Sequence, residues 1–234
     1  MSKFAKGAMS TIAVALSIAV GGCGGDMTIN GEKGVPLSEI DQSGPPPTQL
    51  VAAGSDKVIV TQADALTITV EGDDDAVELV RFVRDGDLLG ISREGSSWWD
   101  STGSAVIRVG MPAPKQIVLG GSGEVEAQTV SSKAQLTIGG SGSMSIDEVA
   151  AERLEITIGG SGSLRAAGTA DKLDMTIGGS GSGNLSKLKA DDVEISIGGS
   201  GSVNVTGSAE CELDSFGSGS LNCSPGKSTK PTDK

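Results

Sequence analysis

The stretch IGGSGS at residues 138–143 decides the fold, because it returns along the chain at a nearly fixed spacing. The same six letters occupy 158–163, 177–182 and 197–202, with LGGSGE at 119–124 before them and FGSGS at 216–220 after them. The first glycines of successive copies, with Phe216 in this place in the last copy, lie 19, 20, 19, 20 and 18 residues apart. Self-similarity at such a period is typical of a solenoid, in which each copy is one rung.

Apolar residues alternate with polar ones on both sides of each glycine pair. The positions two residues before the second glycine, for example, carry Leu119, Ile138, Ile158, Ile177 and Ile197. This period-two pattern predicts a strand leading into the turn and a strand leading out of it. We therefore predict an all-β fold, a parallel β-helix with about 19–20 residues per rung over residues 116–223. Residues 51–115 are rich in β-branched residues and predict further strands, with Asp85-Gly86 as a hairpin turn.

The glycine motif itself is interpreted as a structural corner. A flexible linker would not be flanked each time by alternating Ile and Leu. A calcium-binding β-roll repeats every nine residues and places an aspartate where this chain has serine, such as Ser143 and Ser163, so no metal is expected here. A phosphate loop requires a following Gly-Lys-Ser/Thr and a helix, and the sequence supplies neither. Glycine instead allows positive φ and close approach of successive rungs.

Composition excludes several classes of function. The chain has 234 residues, no histidine, no tyrosine and a net charge of −12. Without histidine, Ser-His-Asp and Cys-His catalysis and histidine-ligated metal sites are excluded, and we expect no cofactor. Nucleic-acid binding is disfavoured because phosphate contacts need clustered lysine and arginine.

The N-terminus predicts export and a lipid anchor. Two lysines precede an apolar run from Met9 to Val20 that is too short for a transmembrane helix, so residues 1–22 are interpreted as a signal peptide. Val20-Gly21-Gly22-Cys23 resembles a bacterial lipobox, which makes Cys23 the lipidated residue; the alternative is an ordinary signal peptide that contains a cysteine. We expect a cell-envelope protein held to the membrane through its lipid, at the outer membrane if the cell is Gram-negative. Residues 23–50 are predicted to be an extended tether, and residues 224–234 a disordered tail.

Two cysteines and two tryptophans are further candidate sites. Cys211 and Cys223 form an even pair in an exported protein and predict a disulfide, with two buried free thiols as the alternative. Trp98 and Trp99 could stack on sugar rings or face the membrane, or they could simply cover the end of the core.

Acidic side chains provide the remaining candidates. An outward ladder could chelate cations, but neighbouring Lys133, Arg153 and Lys172 favour a charge-paired, solvated face. The ladder is Gln135, Glu155, Asp174, Glu194 and Glu212. The run 73–75, three aspartates, could hold a metal or act as acids but is more typical of a turn.

Over residues 48–223 the chain resembles the auto-transporter adhesin head domain known as the GIN domain. The resemblance rests on the serial GGSGS turns, VIVTQADALTITVEGDDD at 58–75, SSWW at 96–99 and VGMP at 109–112. It implies a right-handed β-helix on a bacterial lipoprotein with an adhesive role, and no catalytic residues.

We therefore expect a non-enzymatic module that contacts a glycan or a surface protein. A β-helix polysaccharide lyase or glycosidase using Asp and Glu, and an envelope structural protein without a ligand, are the alternatives.

Overall fold

The computed structural model of the chain describes residues 18–20, 27–94, 103–206, 210–224 and 227–228. Most of these residues are in strands, and one short helix, α1, spans Asp74–Leu79. The strands are β1 Ile18–Val20, β2 Met27–Ile29, β3 Gln49–Gly54, β4 Lys57–Gln62, β5 Thr67–Gly72, β6 Val80–Asp85, β7 Leu88–Arg93, β8 Ala105–Met111, β9 Gln116–Gly121, β10 Glu124–Thr129, β11 Lys133–Gly140, β12 Ser143–Gly160, β13 Ser163–Gly179, β14 Ser182–Gly199, β15 Ser202–Thr206, β16 Glu210–Gly217, β17 Ser220–Ser224 and β18 Lys227–Ser228. No helix among the described residues is long and apolar enough to cross a membrane.

The repeats form the predicted parallel β-helix. Each copy of the motif pairs with the next in phase, so that Gly140 lies beside Gly160 and Gly160 beside Gly179. In each rung, the strand that leads into the glycine corner and the strand that leads out of it form two opposite walls. The alternating Ile, Leu, Val and Met side chains point into one continuous core between these walls. The in-phase pairing follows from the alternation, because a slip of one residue would turn every apolar side chain toward water.

The corners depend on the second glycine of each motif. These glycines have φ between +112° and +133° and stack in one column. The column contains Gly54, Gly121, Gly140, Gly160, Gly179, Gly199 and Gly217. A Cβ on Gly160 would lie 2.5 Å from the carbonyl oxygen of Gly140, whereas a Cβ on Gly159 would meet nothing nearer than 3.9 Å. The first glycine is therefore replaceable, and Ala53 and Phe216 occupy its place in two rungs.

The parallel β-helix begins well before the first GGSG. Strand β3 pairs with β9, strand β4 pairs with β10, and Gly54 takes the corner position beside Gly121. The N-terminal β part and the repeats thus share one continuous sheet.

Strands β7 and β8 form one more rung on the N-terminal side of β3 and β4, and 11 residues separate them where the other rungs have a tight corner. Strand β7 pairs with β3, and strand β8 pairs with β4. The connection from Arg93 to Ala105 is called the expanded loop below because of its length, and its residues 95–102 lie outside the described part.

Antiparallel strands close the N-terminal end of the core. Strand β6 pairs antiparallel with β7 through a hairpin whose loop is Gly86-Asp87, one residue later than predicted, and β5 pairs antiparallel with β8. Helix α1 links β5 to β6, and its Ala76 is completely buried. The sequence showed no helical period because a helix of six residues is too short to display one.

The prediction of an extended tether is wrong for residues 27–50, since this segment packs on the folded body. Ile29 is fully buried in a small cluster with Val51 and Val83, and Val35 and Phe82 exchange two backbone hydrogen bonds of 2.8 Å. Ile40 belongs to the main core. These apolar residues are irregularly spaced among Pro and Gly, so periodicity could not reveal them.

Candidate functional surface

A network of ion pairs lies on the outer face of one wall, the wall formed by the strand segments that precede the glycine corners. Arg153 contacts both Glu155 and Asp174, which lie in neighbouring rungs. The Lys172 ammonium lies 2.9 Å from Glu194 and 3.6 Å from Asp192. Three carboxylates of the predicted ladder, those of Glu155, Asp174 and Glu194, are therefore paired with the chain's own cations. Among the described residues no group of acidic side chains and cysteines is arranged to hold a metal ion.

Burial and pairing act in opposite directions within this network. Burial raises the pKa of Asp174, although Arg153 and Lys172 both lie against it. The hydrogen bond from Lys172 lowers the pKa of Glu194, and the same contact raises the pKa of Lys172. The network can thus hold this wall together electrostatically.

A buried ion pair lies at the base of the expanded loop. Asp56 accepts hydrogen bonds from the Arg93 guanidinium, the Nε contact being 2.6 Å, and from the backbone N–H of Ala105 at 2.9 Å. The Asp56 and Arg93 side chains are only 8% and 12% exposed. The hydrogen bond to Asp56 raises the pKa of Arg93. Because Arg93 and Ala105 flank the loop, Asp56 joins both of its ends to the first regular corner.

Sequence reasoning missed this pair. Asp56 stands where the other rungs have the last glycine of GGSG, since Glu124 donates to the Asp56 carbonyl just as Ser143 donates to the Gly123 carbonyl. The stretch AAGSD at 52–56 is therefore a divergent copy of the corner motif. The sequence therefore contained a signal for this corner. It was not recognised because Gly54 and Gly121 are 67 residues apart, which does not fit the spacing of the other copies.

The run of three aspartates has a structural role in the described part of the chain. Asp73 precedes α1, and Asp74 and Asp75 lie in its first turn. A carboxylate oxygen of Asp73 accepts a hydrogen bond of 3.1 Å from the Ser104 amide, on the far side of the loop. Backbone pairing of Glu94 with Leu79 at 2.9 Å and the Arg81–Glu94 ion pair hold the near side. Both flanks of residues 95–102 are thus fixed to the part of the chain around α1 and β6 that closes the N-terminal end of the core.

Two predicted sites lie outside the described residues: the lipidation site Cys23, and the possible ligand contact made by Trp98 and Trp99. A third prediction agrees with the structure: Cys211 and Cys223 are joined in a disulfide, with Cα atoms 6.7 Å apart. The bond links β16 to β17 across the last rung, because the narrow core brings the two walls within bonding reach there.

The match with a known family covers most of the chain. Residues 46–225 match the family described as "Putative auto-transporter adhesin, head GIN domain". The chain belongs to the GIN-domain family. A comparison with curated protein sequences found no match.

Solved structures share the fold of this GIN domain at low sequence identity. A putative adhesin from Bacteroides fragilis is 18% identical, with a TM-score of 0.60 over 76% of this chain and 92% of that one. A putative adhesin from Parabacteroides distasonis is 17% identical, with a TM-score of 0.55 over 77% and 94%. A putative lipid binding protein from the same organism is 20% identical, with a TM-score of 0.53 over 76% and 93%. At these identities the likeness establishes the fold alone.

Proposed function

We propose that this GIN-domain protein is a non-enzymatic, lipid-anchored adhesion module of the cell envelope. Its ligand class is a glycan or a surface protein, bound through the expanded loop that carries Trp98 and Trp99 in its sequence. Family membership and the similarity to structures of putative adhesins support a role at the cell surface.

The single observation that carries the proposal is the pinned base of this loop. Asp56 and Asp73 fix one flank through Ala105 and Ser104, and Arg93 and Glu94 fix the other. A buried ion pair costs desolvation energy and is weak evidence for stability, so its presence favours a requirement for fixed loop position. Loops placed by a rigid scaffold are common binding sites, and tryptophan stacks well on sugar rings and other apolar surfaces.

The proposed binding is tested with Trp98→Ala/Trp99→Ala on a glycan array and in an adhesion assay with whole cells. We expect a loss of binding of at least about tenfold, which corresponds to roughly 1.4 kcal/mol. Phe216→Ala is the matched control, because it removes an exposed aromatic side chain at the opposite end of the domain. Equal binding by the double variant and wild type would exclude the loop as the contact.

The same ligands should be assayed for new reducing ends. Binding without turnover supports an adhesion module. Turnover that is lost in an Asp→Asn variant would instead establish an enzyme and overturn the proposal.

The anchor rests on Cys23 and is tested separately. In Cys23→Ala we expect unprocessed precursor and no labelling by a palmitate analogue, because the thiol that accepts the lipid is absent. The membrane fraction should retain the wild-type protein, held by its acyl chains. Normal maturation and labelling of the variant would show that the lipobox interpretation is wrong.

A further inference from the structure

The N-terminal segment joins the solenoid a short distance after the proposed lipidation site. Ile29 is completely buried and packs with Val51 and Val118, which point outward from the wall that precedes the glycine corners. Ile29 and Glu32 exchange two backbone hydrogen bonds of 3.2 and 3.0 Å. All residues of this described cluster follow Cys23 in the chain, so removal of the signal peptide leaves the cluster in place. The chain is therefore attached to the first rungs from Ile29 onward.

The packing of Ile29 limits the distance between a lipid and the folded body. Six residue steps separate Cys23 from Ile29. An extended chain spans at most about 3.6 Å per residue, so the two Cα atoms lie no more than about 22 Å apart. A tether that ran free from Cys23 to Leu50, as the sequence led us to expect, would reach about 97 Å. The structure thus leaves roughly a quarter of that reach.

A lipid on Cys23 would hold the first rungs in the layer next to the membrane. The acyl chains occupy the hydrocarbon core, so the cysteine itself lies among the polar headgroups. These headgroups form a layer of about 5–8 Å on each side of the core. At most about 17 Å of the tether then remains above them. The part of the body around Ile29 therefore stays within this layer.

The same wall becomes acidic toward the C-terminal end. Asp192, Glu194, Glu212 and Asp214 are exposed on the outer face of its last two rungs. Lys172 contacts the first two of them from the preceding rung. Anionic headgroups repel such a surface within about one Debye length, which is roughly 8 Å at physiological ionic strength. An orientation with the whole wall flat on the membrane is therefore unfavourable.

We propose that the first rungs rest on the lipid headgroups and that the solenoid axis carries the acidic C-terminal rungs away from the membrane. The inference rests on the lipid anchor proposed above for Cys23. The partner of the surface around Ile29 is the membrane that holds the anchor, because the short tether keeps this surface beside it. The protein then has a defined orientation on the membrane and does not move freely on a long tether.

The position of Ser196 provides a measure of this orientation. Ser196 lies in the same outward row as Val118, four rungs farther along the wall. Adjacent strands are about 4.8 Å apart, so the two rungs are separated by roughly 19 Å. Glu32 lies beside Ile29 and is exposed, as is Ser196. A probe at 32 should therefore lie near the headgroups, and a probe at 196 should lie beyond them.

The orientation is tested with the lipidated full chain in vesicles of phosphatidylethanolamine and phosphatidylglycerol, some of whose headgroups carry a nitroxide. Glu32→Cys and Ser196→Cys each supply one thiol for the same fluorophore, because Cys211 and Cys223 are joined in the disulfide. A nitroxide quenches fluorescence only at short range. We expect the fluorophore at 32 to be quenched at least threefold more strongly than the fluorophore at 196.

A longer tether is the second variant. Insertion of a 20-residue Gly-Ser linker between Gly25 and Asp26 adds a root-mean-square length of about 25 Å and leaves the folded body unchanged. Quenching at 32 should then fall at least twofold, whereas quenching at 196 should remain low.

Flotation of the protein with the vesicles is measured in the same samples. Equal quenching at 32 and 196 in a protein that floats would overturn the proposed orientation and leave the anchor intact. Unchanged quenching at 32 after insertion of the linker would have the same meaning. A protein that does not float carries no lipid on Cys23, and that result would overturn both the anchor and the orientation.

Discussion

The first corner and the later corners of this solenoid have the same backbone course but different stabilising contacts. At the Gly160 corner the rungs approach so closely that only glycine fits, and the contacts are between backbone atoms. At the Gly54 corner Asp56 replaces a glycine and pairs with Arg93 across the base of a long loop. The regular corners therefore tolerate no side chain at their second and last glycines, whereas the first corner has Asp56 in place of the last glycine and depends on it. The comparison shows how a repeat can depart from its packing rule at one rung and fix both ends of the long connection between β7 and β8.

The largest effect is expected from Gly160→Val. A β-branched residue at φ +124°, with its Cβ 2.5 Å from a carbonyl oxygen, combines backbone strain with overpacking. We expect the free energy of unfolding to fall by about 4 kcal/mol, measured by urea denaturation. Gly159→Ala is the control and should change it by less than about 1 kcal/mol. Equal effects at the two positions would show that the corner does not require close backbone packing.

Asp56→Asn tests the other kind of corner. The substitution leaves the Arg93 charge buried without its counterion, and breaking a buried pair in this way costs about 3 kcal/mol. Glu152→Gln removes a partner of Lys133 in a pair whose side chains are 63% and 73% exposed, and should cost less than about 0.5 kcal/mol. Thermal melting of both variants measures the contrast. If Asp56→Asn melts like Glu152→Gln, the first corner does not depend on its ion pair.

Loss of the disulfide should affect the last rung. Cys211→Ala/Cys223→Ala removes a cross-link between residues 12 apart and should lower stability by roughly 2–3 kcal/mol through the freed unfolded chain. Hydrogen exchange should increase in β16 and β17 and remain unchanged in β3 and β4. Reductant should reproduce the change in the wild type and have no further effect on the double variant. A uniform change along the whole solenoid would contradict this local role.

The smallest effect is expected from the charged wall. The pKa of Glu194 is lowered by Lys172, so its stabilising contribution is present above the ordinary glutamate pKa and is lost as pH falls through the lowered value. The pKa of Lys172 is raised by the same contact, so its contribution is lost only as pH rises past the raised value. Glu194→Gln should therefore lower the melting temperature slightly at pH 7, with the difference from wild type vanishing toward pH 2. A difference that persists there would show that the pair acts through packing and not through charge.

The regular part of the fold was predictable because its information is local. In each copy, alternation around the glycine pair defines the inward residues, and the repeat spacing defines their register from Gly121 to Gly217. The pairing of Cys211 with Cys223 also followed, since both occupy inward positions of one rung. The segment 27–50 could not be predicted in this way. Ile29 and Val35 are buried or paired by partners more than 20 residues away, and nothing periodic marks them.

The candidate site likewise has some features that the sequence shows and others that only the structure shows. Trp98 and Trp99 are recognisable from sequence as unusual residues in a polar stretch. That the connection from β7 to β8 replaces a corner of the solenoid became evident only from the pairing of β7 with β3 and β8 with β4. The Asp56–Arg93 contact joins residues 37 apart and has no sequence motif of its own.

The amino-acid sequence by itself determined a parallel β-helix with glycine corners, because each rung repeats the same short-range pattern and neighbouring rungs must align it. It also excluded catalysis and metal binding that depend on histidine. Only the tertiary structure decided where the solenoid begins, how its first end is closed, and which carboxylates hold the loop. Those features arise from single contacts between residues far apart in the chain, and such contacts leave no period in the sequence.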